Sequence, residues 1–171
     1  MTSLIKFAGL LMMMLSTVSA GYYAAAMIRK RADILESCIR LFQRINSDIS
    51  YSAEPLRIII SKASQCREFD KLVFLHKISQ CESDDIILCW RECVENFCKS
   101  SPITKDDAML LISFGEKLGT SDVEHQQKLC DEYTSLLKQR YVSLRNSQRE
   151  RMRMCKVCSL ALGAVMLILL M

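Results

Sequence analysis

The chain has 171 residues, half of them hydrophobic, with five glycines, two prolines, nine cysteines and a formal charge of +4. That length holds one modest domain, and so few helix breakers point to an all-helical chain. All nineteen acidic residues and twenty-two of the twenty-three basic ones fall between Arg29 and Lys156, and two nearly uncharged ends exclude an ordinary soluble globule.

Phe7 to Ile28 is an uncharged run. At about 1.5 Å per residue a helix of this length exceeds the roughly 30 Å hydrocarbon thickness. Residues 1–28 are therefore read as an N-terminal transmembrane helix, with Tyr22 and Tyr23 near the headgroup boundary. Lys6, the apolar core and Val18-Ser19-Ala20 also fit a secretory signal with a small-residue cleavage site. Against cleavage, the apolar run continues past Ala20 and then meets Arg29-Lys30-Arg31, a strong cytosolic-retention signal that outweighs Lys6.

Residues 29–156 read as a cytosolic helical bundle. From Ala32 to Ile49, apolar residues recur at Leu35, Cys38/Ile39, Phe42, Ile45 and Ile49, the spacing of a helix that can continue directly from the first span. Tyr51 to Pro55 breaks it, and Pro55 suits the start of a second helix over 56–64. A third is expected over 68–78. Ser83-Asp84-Asp85 caps a fourth over 84–99, with Cys89/Trp90, Cys93/Val94 and Phe97 inward. Ser100-Ser101-Pro102 ends it. Thr104 to Asp107 resembles a capping box with Asp in place of Glu, opening a fifth helix that reaches Leu118 and stops at Gly119. Thr120-Ser121-Asp122 caps the last helix, and no Gly or Pro occurs between Asp122 and Val157. The simplest reading is one long helix leaving the bundle and entering the membrane. The fold class is thus all-α, a compact antiparallel bundle of about six helices between two membrane helices.

Residues 157–171 form a second uncharged stretch. Alone it spans only about 22 Å, so it needs neighbouring residues, snorkelling by Lys156 or local thinning to cross. Its flank carries Arg149, Arg151, Arg153 and Lys156, which again places the bundle on the cytosolic side, with both chain ends facing away. The charge is a basic collar around an acidic body. Ala32 to Leu137 holds twelve basic and eighteen acidic residues, whereas Lys138 to Lys156 holds seven basic and one acidic. Basic residues just inside a bilayer gain about 1 kcal/mol each from anionic lipid, so membrane lipid is the first expected partner. An acidic body argues against nucleic acid.

Nothing in the sequence carries catalysis. No phosphate-binding or nucleophile-elbow pattern occurs. Asp84-Asp85 and Asp106-Asp107 sit at helix starts, where acids are favoured without chemistry. Cys155-X-X-Cys158 lacks the βαβ setting of a redox motif and a second pair for a metal. Cys89, Cys93 and Cys98 read as core, and His76 and His125 as surface or capping residues. An odd number of irregularly spaced cysteines fits a reducing compartment. No enzyme, cofactor or metal is expected. A partner surface is expected on Asp84, Asp85, Glu92 and Glu95. Two other readings stand beside these: a secreted or membrane-bound thiol protein using Cys155 and Cys158, and a membrane sensor with a ligand between helices.

The segment Phe114, Gly115, Leu118, Gly119, Ser121, Asp122 and Gln126 has the pattern FGxxLGxSDxxxQ. Its bland reading is a tight corner between two helices. The pattern, with the whole-chain layout, resembles the stage III sporulation protein AB family. That family in turn resembles the cytoplasmic helical domain of inner-membrane platform proteins of type II secretion and type IV pilus machines. The resemblance implies a non-catalytic platform in the channel complex joining mother cell and forespore, in the mother-cell membrane. Implied partners are a cytosolic secretion-type ATPase and ring-forming membrane proteins, with homo-oligomerisation left open. Its cysteine richness departs from the pattern expected of that family.

Overall fold

The computed structural model describes residues 2–52, 54–81, 85–119 and 122–170, with side chains described for residues 12, 16, 18–51, 54–81, 85–119, 122–148 and 150. Six α-helices and one short 3-10 turn, with no strand, make up the described residues. They are α1 (Thr2–Ser52), α2 (Leu56–Ser64), the turn Arg67–Phe69, α3 (Val73–Ser79), α4 (Ile86–Ser100), α5 (Lys105–Lys117) and α6 (Val123–Leu170).

The long helices set the frame. At about 1.5 Å per residue, α1 and α6 are each over 70 Å long, while α2 to α5 are short and fill one end. The two long helices run antiparallel in a single register. Glu36 faces Tyr141, Asn46 faces Asp131 and Ser50 faces Gln127, in each case through a side-chain hydrogen bond of 2.7 to 3.3 Å. The residue numbers of every pair sum to 177. On the other side of α1, α2 packs on α1 and α3, α3 on α4, and α4 on α5, which returns to α6.

Leu35, Cys38, Phe42, Ile45 and Ile49 of α1 are all buried, as their spacing predicts. Ile34, Leu41 and Ile39 are buried too. The apolar stripe is wider than one seam because α1 is covered from several directions. Trp90, Val94 and Phe97 of α4, with Leu111 and Phe114 of α5, complete the core against Phe74 and Leu75 of α3. Burying a side chain of this size contributes roughly 1.5–3 kcal/mol relative to exposing it, so the centre of α1 holds much of the fold together.

One element departs from expectation. The helix expected over 68–78 is broken into the 3-10 turn and α3. Phe69 and Leu72 are both buried, at 4% and 1% exposure. Leu72 leaves the helical region (φ −93°, ψ 67°), and its amide donates to the Phe69 carbonyl at 2.8 Å. Past this break α3 packs on both α2 and α4. Phe74, Leu75 and Ile78 face the core beside Phe69 and Leu72.

The fourth helix begins at Ile86, with Asp85 as its cap: one carboxylate oxygen accepts from the Ile87 and Leu88 amides at 3.0 and 3.1 Å. Ser83 and Asp84 lie outside the described residues. Backbone helix is continuous across 28/29 in α1 and across 156/157 in α6. Among the described residues, no helix is long and apolar enough to cross a membrane. The expected span over 157–171 lies outside the described side chains, as do residues 1–11, 13–15 and 17 of the one over 1–28. Of the latter, Met12, Val18, Tyr22 and Tyr23 are described and are 66–77% exposed.

Candidate functional site

Two groups of side chains tie α5 to the long helices, one at each end. At its N-terminus stands the capping box foreseen from Thr104. Thr104 Oγ1 accepts from the Asp107 amide, and Asp107 Oδ2 accepts from the Thr104 amide, each at 3.4 Å. Asp107 does more than close the box. Its side chain is fully buried and meets two arginines from different helices. Arg31 of α1 donates from Nε at 2.8 Å and approaches with Nη2 at 2.7 Å, both to Oδ2. Arg31 Nη2 also donates to Thr104 Oγ1 at 3.1 Å. Arg140 of α6 donates from Nη1 to Oδ1 at 3.3 Å, and Asp106 lies 3.8 Å from the same nitrogen. A buried carboxylate needs such partners, because desolvation would otherwise cost several kcal/mol. One residue of α5 thereby ties α1 to α6.

At the other end of α5 lies the glycine corner. Phe114 is fully buried and stacks on Phe42 of α1, with ring centroids 3.7 Å apart and planes inclined by 21°. Trp90 and Tyr133 flank it at 6.0 and 5.6 Å. Gly115 lies under the Trp90 indole, where any Cβ would collide with three ring atoms. Trp90 Nε1 is fixed there by donating to the Leu111 carbonyl at 2.8 Å. Gly119, at φ +82°, ends α5 in the left-handed region that favours glycine. The Gln126 amide then donates to the Asp122 carbonyl at 3.0 Å as α6 begins. Phe114, Gly115, Leu118 and Gly119 are thus one packed corner, while Asp122 and Gln126 start the next helix. Ser121 lies outside the described residues.

Arg29 and Lys30 are exposed on α1, and Arg31 is half-buried in the Asp107 cluster. The side chains of Arg149, Arg151, Arg153 and Lys156, and of Cys155 and Cys158, lie outside those described. Of the expected partner surface, Asp84 is not described, Asp85 is the α4 cap, and Glu92 and Glu95 are exposed on the same face of α4. Asp85, Leu88, Glu92 and Glu95 recur three or four apart, and Leu88 is exposed among them. His76 pairs with Gln80 at 3.1 Å and His125 lies 3.9 Å from Asp122, both at the surface. Among the described residues, no three His, Cys, Asp or Glu side chains are placed to hold a metal. Sequence reasoning missed the joining role of Asp107 and Arg140; the capping-box spacing was the only local hint.

The seven described cysteines are free thiols. Burial raises Cys89 and Cys130 to about 12 and Cys98 to about 11. It lifts Cys38 further still. Neighbouring thiols also raise Cys89, and nearby Asp107 raises Cys98. A thiol raised in the folded state stays neutral while its unfolded counterpart ionises above its ordinary 9.0. The associated stability is whole below about pH 9 and is lost as pH climbs through 11 to 12. The urea midpoint should therefore fall over that alkaline range, and Cys130→Ala should flatten the fall. An unchanged slope in this variant would remove burial of Cys130 as a cause.

A solved structure titled Stage III sporulation protein AB shares this fold, with a TM-score of 0.59 and 19% identity, covering 71% of this chain and 98% of that chain. No curated protein matches the chain at a significant level. The sequence profile described as Stage III sporulation protein AB matches residues 6–171, which includes both the glycine corner and the Asp107 cluster, and the chain therefore belongs to the stage III sporulation protein AB family.

Proposed function

We propose that this stage III sporulation protein is a non-catalytic membrane platform. Its helical body would face the cytosol of the mother cell, and a cytosolic ATPase of the sporulation channel complex would act on it. The observation that carries this reading is the pair of long helices. Both leave the bundle at the same end, in one antiparallel register, and both are continuous with an uncharged apolar run. Exposed Met12, Val18, Tyr22 and Tyr23 on α1 support it, since large apolar side chains in water cost free energy that lipid would relieve. Arg29 and Lys30, exposed just beyond that run, suit the inner headgroup layer.

In this reading the bundle transmits force. A push on the body would reach the bilayer through α1 and α6, which Asp107 and the glycine corner lock to the short helices. The exposed acidic face around Leu88, Glu92 and Glu95 offers complementary charge to a basic partner patch. Two glycines inserted after Ser147 would soften α6 beyond the bundle. The expected result is an unchanged melting transition in detergent, normal protein levels, and heat-resistant spore counts as low as those of a null strain. Normal spore counts would refute mechanical coupling through α6. Labelling of an added cysteine at Glu92 by a membrane-impermeant maleimide in intact mother cells would refute the topology.

A further inference from the structure

A cleft of about 410 Å³ opens between α1 and α6 where the two helices leave the bundle, lined by Ile28, Arg31, Arg140, Ser143, Leu144 and Ser147. We propose that this cleft binds the phosphate of an anionic phospholipid, one molecule per chain; the proposal rests on the membrane reading above. Its floor is preorganised. Asp107 holds Arg31 through Nε and Nη2 and Arg140 through Nη1. Among the described residues nothing engages Arg31 Nη1 or the Nε and Nη2 of Arg140, so both guanidinium groups keep donors for a ligand. Their side chains are 23% and 37% exposed, open enough to be reached and fixed enough to lose little freedom on binding.

The buried charge favours an anion. Two guanidinium groups share one buried carboxylate, while Asp106, 3.8 Å from Arg140, is 68% exposed, so water screens its charge. Ser143 and Ser147, one turn apart on α6, add hydroxyls on the same side. Ser147 Oγ donates to the Ser143 carbonyl at 3.0 Å, while the Ser143 hydroxyl has no described partner. A phosphate monoanion can take parallel N–H donors from a guanidinium and an O–H donor from serine, and bonds of this charged kind are about twice as strong as neutral ones.

The apolar lining selects lipid over free phosphate. Ile28 is the last residue of the uncharged run, and Leu144 lines the cleft with it. The site therefore begins at the depth where a headgroup would meet its acyl chains. Arg145 lies outside this arrangement, 5.4 Å over the Tyr141 ring.

The test uses the full-length chain in neutral detergent, examined by native mass spectrometry with phosphatidylglycerol or phosphatidylcholine added. One retained phosphatidylglycerol is expected, with no comparable retention of phosphatidylcholine and no displacement by millimolar inorganic phosphate. Ser143→Asp with Ser147→Asp should lower occupancy at least about tenfold, because two carboxylates would repel the phosphate and compete for its guanidinium donors. Arg145→Gln, a collar charge outside the cleft, should leave it unchanged. Equal losses in both variants would replace the cleft with diffuse attraction to the collar and overturn the proposal. Displacement by inorganic phosphate would overturn the lipid assignment. Extraction of the wild-type chain from membranes by alkaline carbonate would refute the membrane reading itself. Retention by an integral but aspartate-substituted chain refutes the cleft alone.

Discussion

Gly115→Ala should destabilise the bundle by about 3 kcal/mol, at the upper end of overpacking costs. The added methyl would overlap three atoms of the Trp90 indole. The indole cannot step aside cheaply, since its Nε1 is bonded to the Leu111 carbonyl and its ring is 2% exposed between Phe74 and Phe114. Moving it breaks a buried hydrogen bond or spoils the aromatic cluster. Moving α5 instead would part Phe114 from Phe42. Thermal unfolding by circular dichroism should show a midpoint lowered by roughly 10 °C. Trp90→Leu should also destabilise the protein, through the cavity and the unpaired Leu111 carbonyl lone pair. Combined with Gly115→Ala, however, its effect should be markedly less than additive, because the space removed from residue 90 accepts the methyl. Strict additivity in that cycle would show that Gly115 is needed for some reason other than the indole.

This contact also marks the limit of what the sequence could tell. The glycine was visible as part of a pattern, and Gly119 was readable in physical terms because a helix stop needs the left-handed region. The reason for Gly115 lies on another helix, 25 residues earlier, and no local rule reaches it. The same division runs through the rest of the molecule. The buried face of α1, the Thr104 capping box and the unbroken α6 follow from local periodicity and the lack of Gly or Pro. The segment 68–78 was misjudged because its apolar residues are compatible with helical spacing, and periodicity carries no sign of the break at Leu72. Asp107 looked like an ordinary first-turn acid, since its two arginines are separated from it by 76 and 33 positions. Of the residues offered for a partner surface, Asp85 caps α4, as its place before the helix suggested, and Glu92 and Glu95 are exposed on one face of that helix.

Replacing both arginines of that cluster should have an effect as large as the glycine corner's. In Arg31→Met with Arg140→Met, Asp107 would keep its place under α1 and α6 with only the capping-box contacts left to it. A buried carboxylate without its charged partners costs about 3–5 kcal/mol, and urea unfolding of the full chain in detergent should read a loss of that size. The single variants should lose less, because either guanidinium alone still faces the carboxylate. Adding Asp107→Leu to the double variant should restore most of the loss, since a well-packed apolar triad replaces a buried ionic one at little net cost. The recovery should fall short by about 1 kcal/mol, the share of the capping box that Leu cannot supply. Such a rescued chain separates stability from function. If Asp107 serves only to hold the bundle together, the triple variant should sporulate as the wild type does. If the paired arginines are wanted for what lies beyond the bundle, it should melt normally and still fail to form spores.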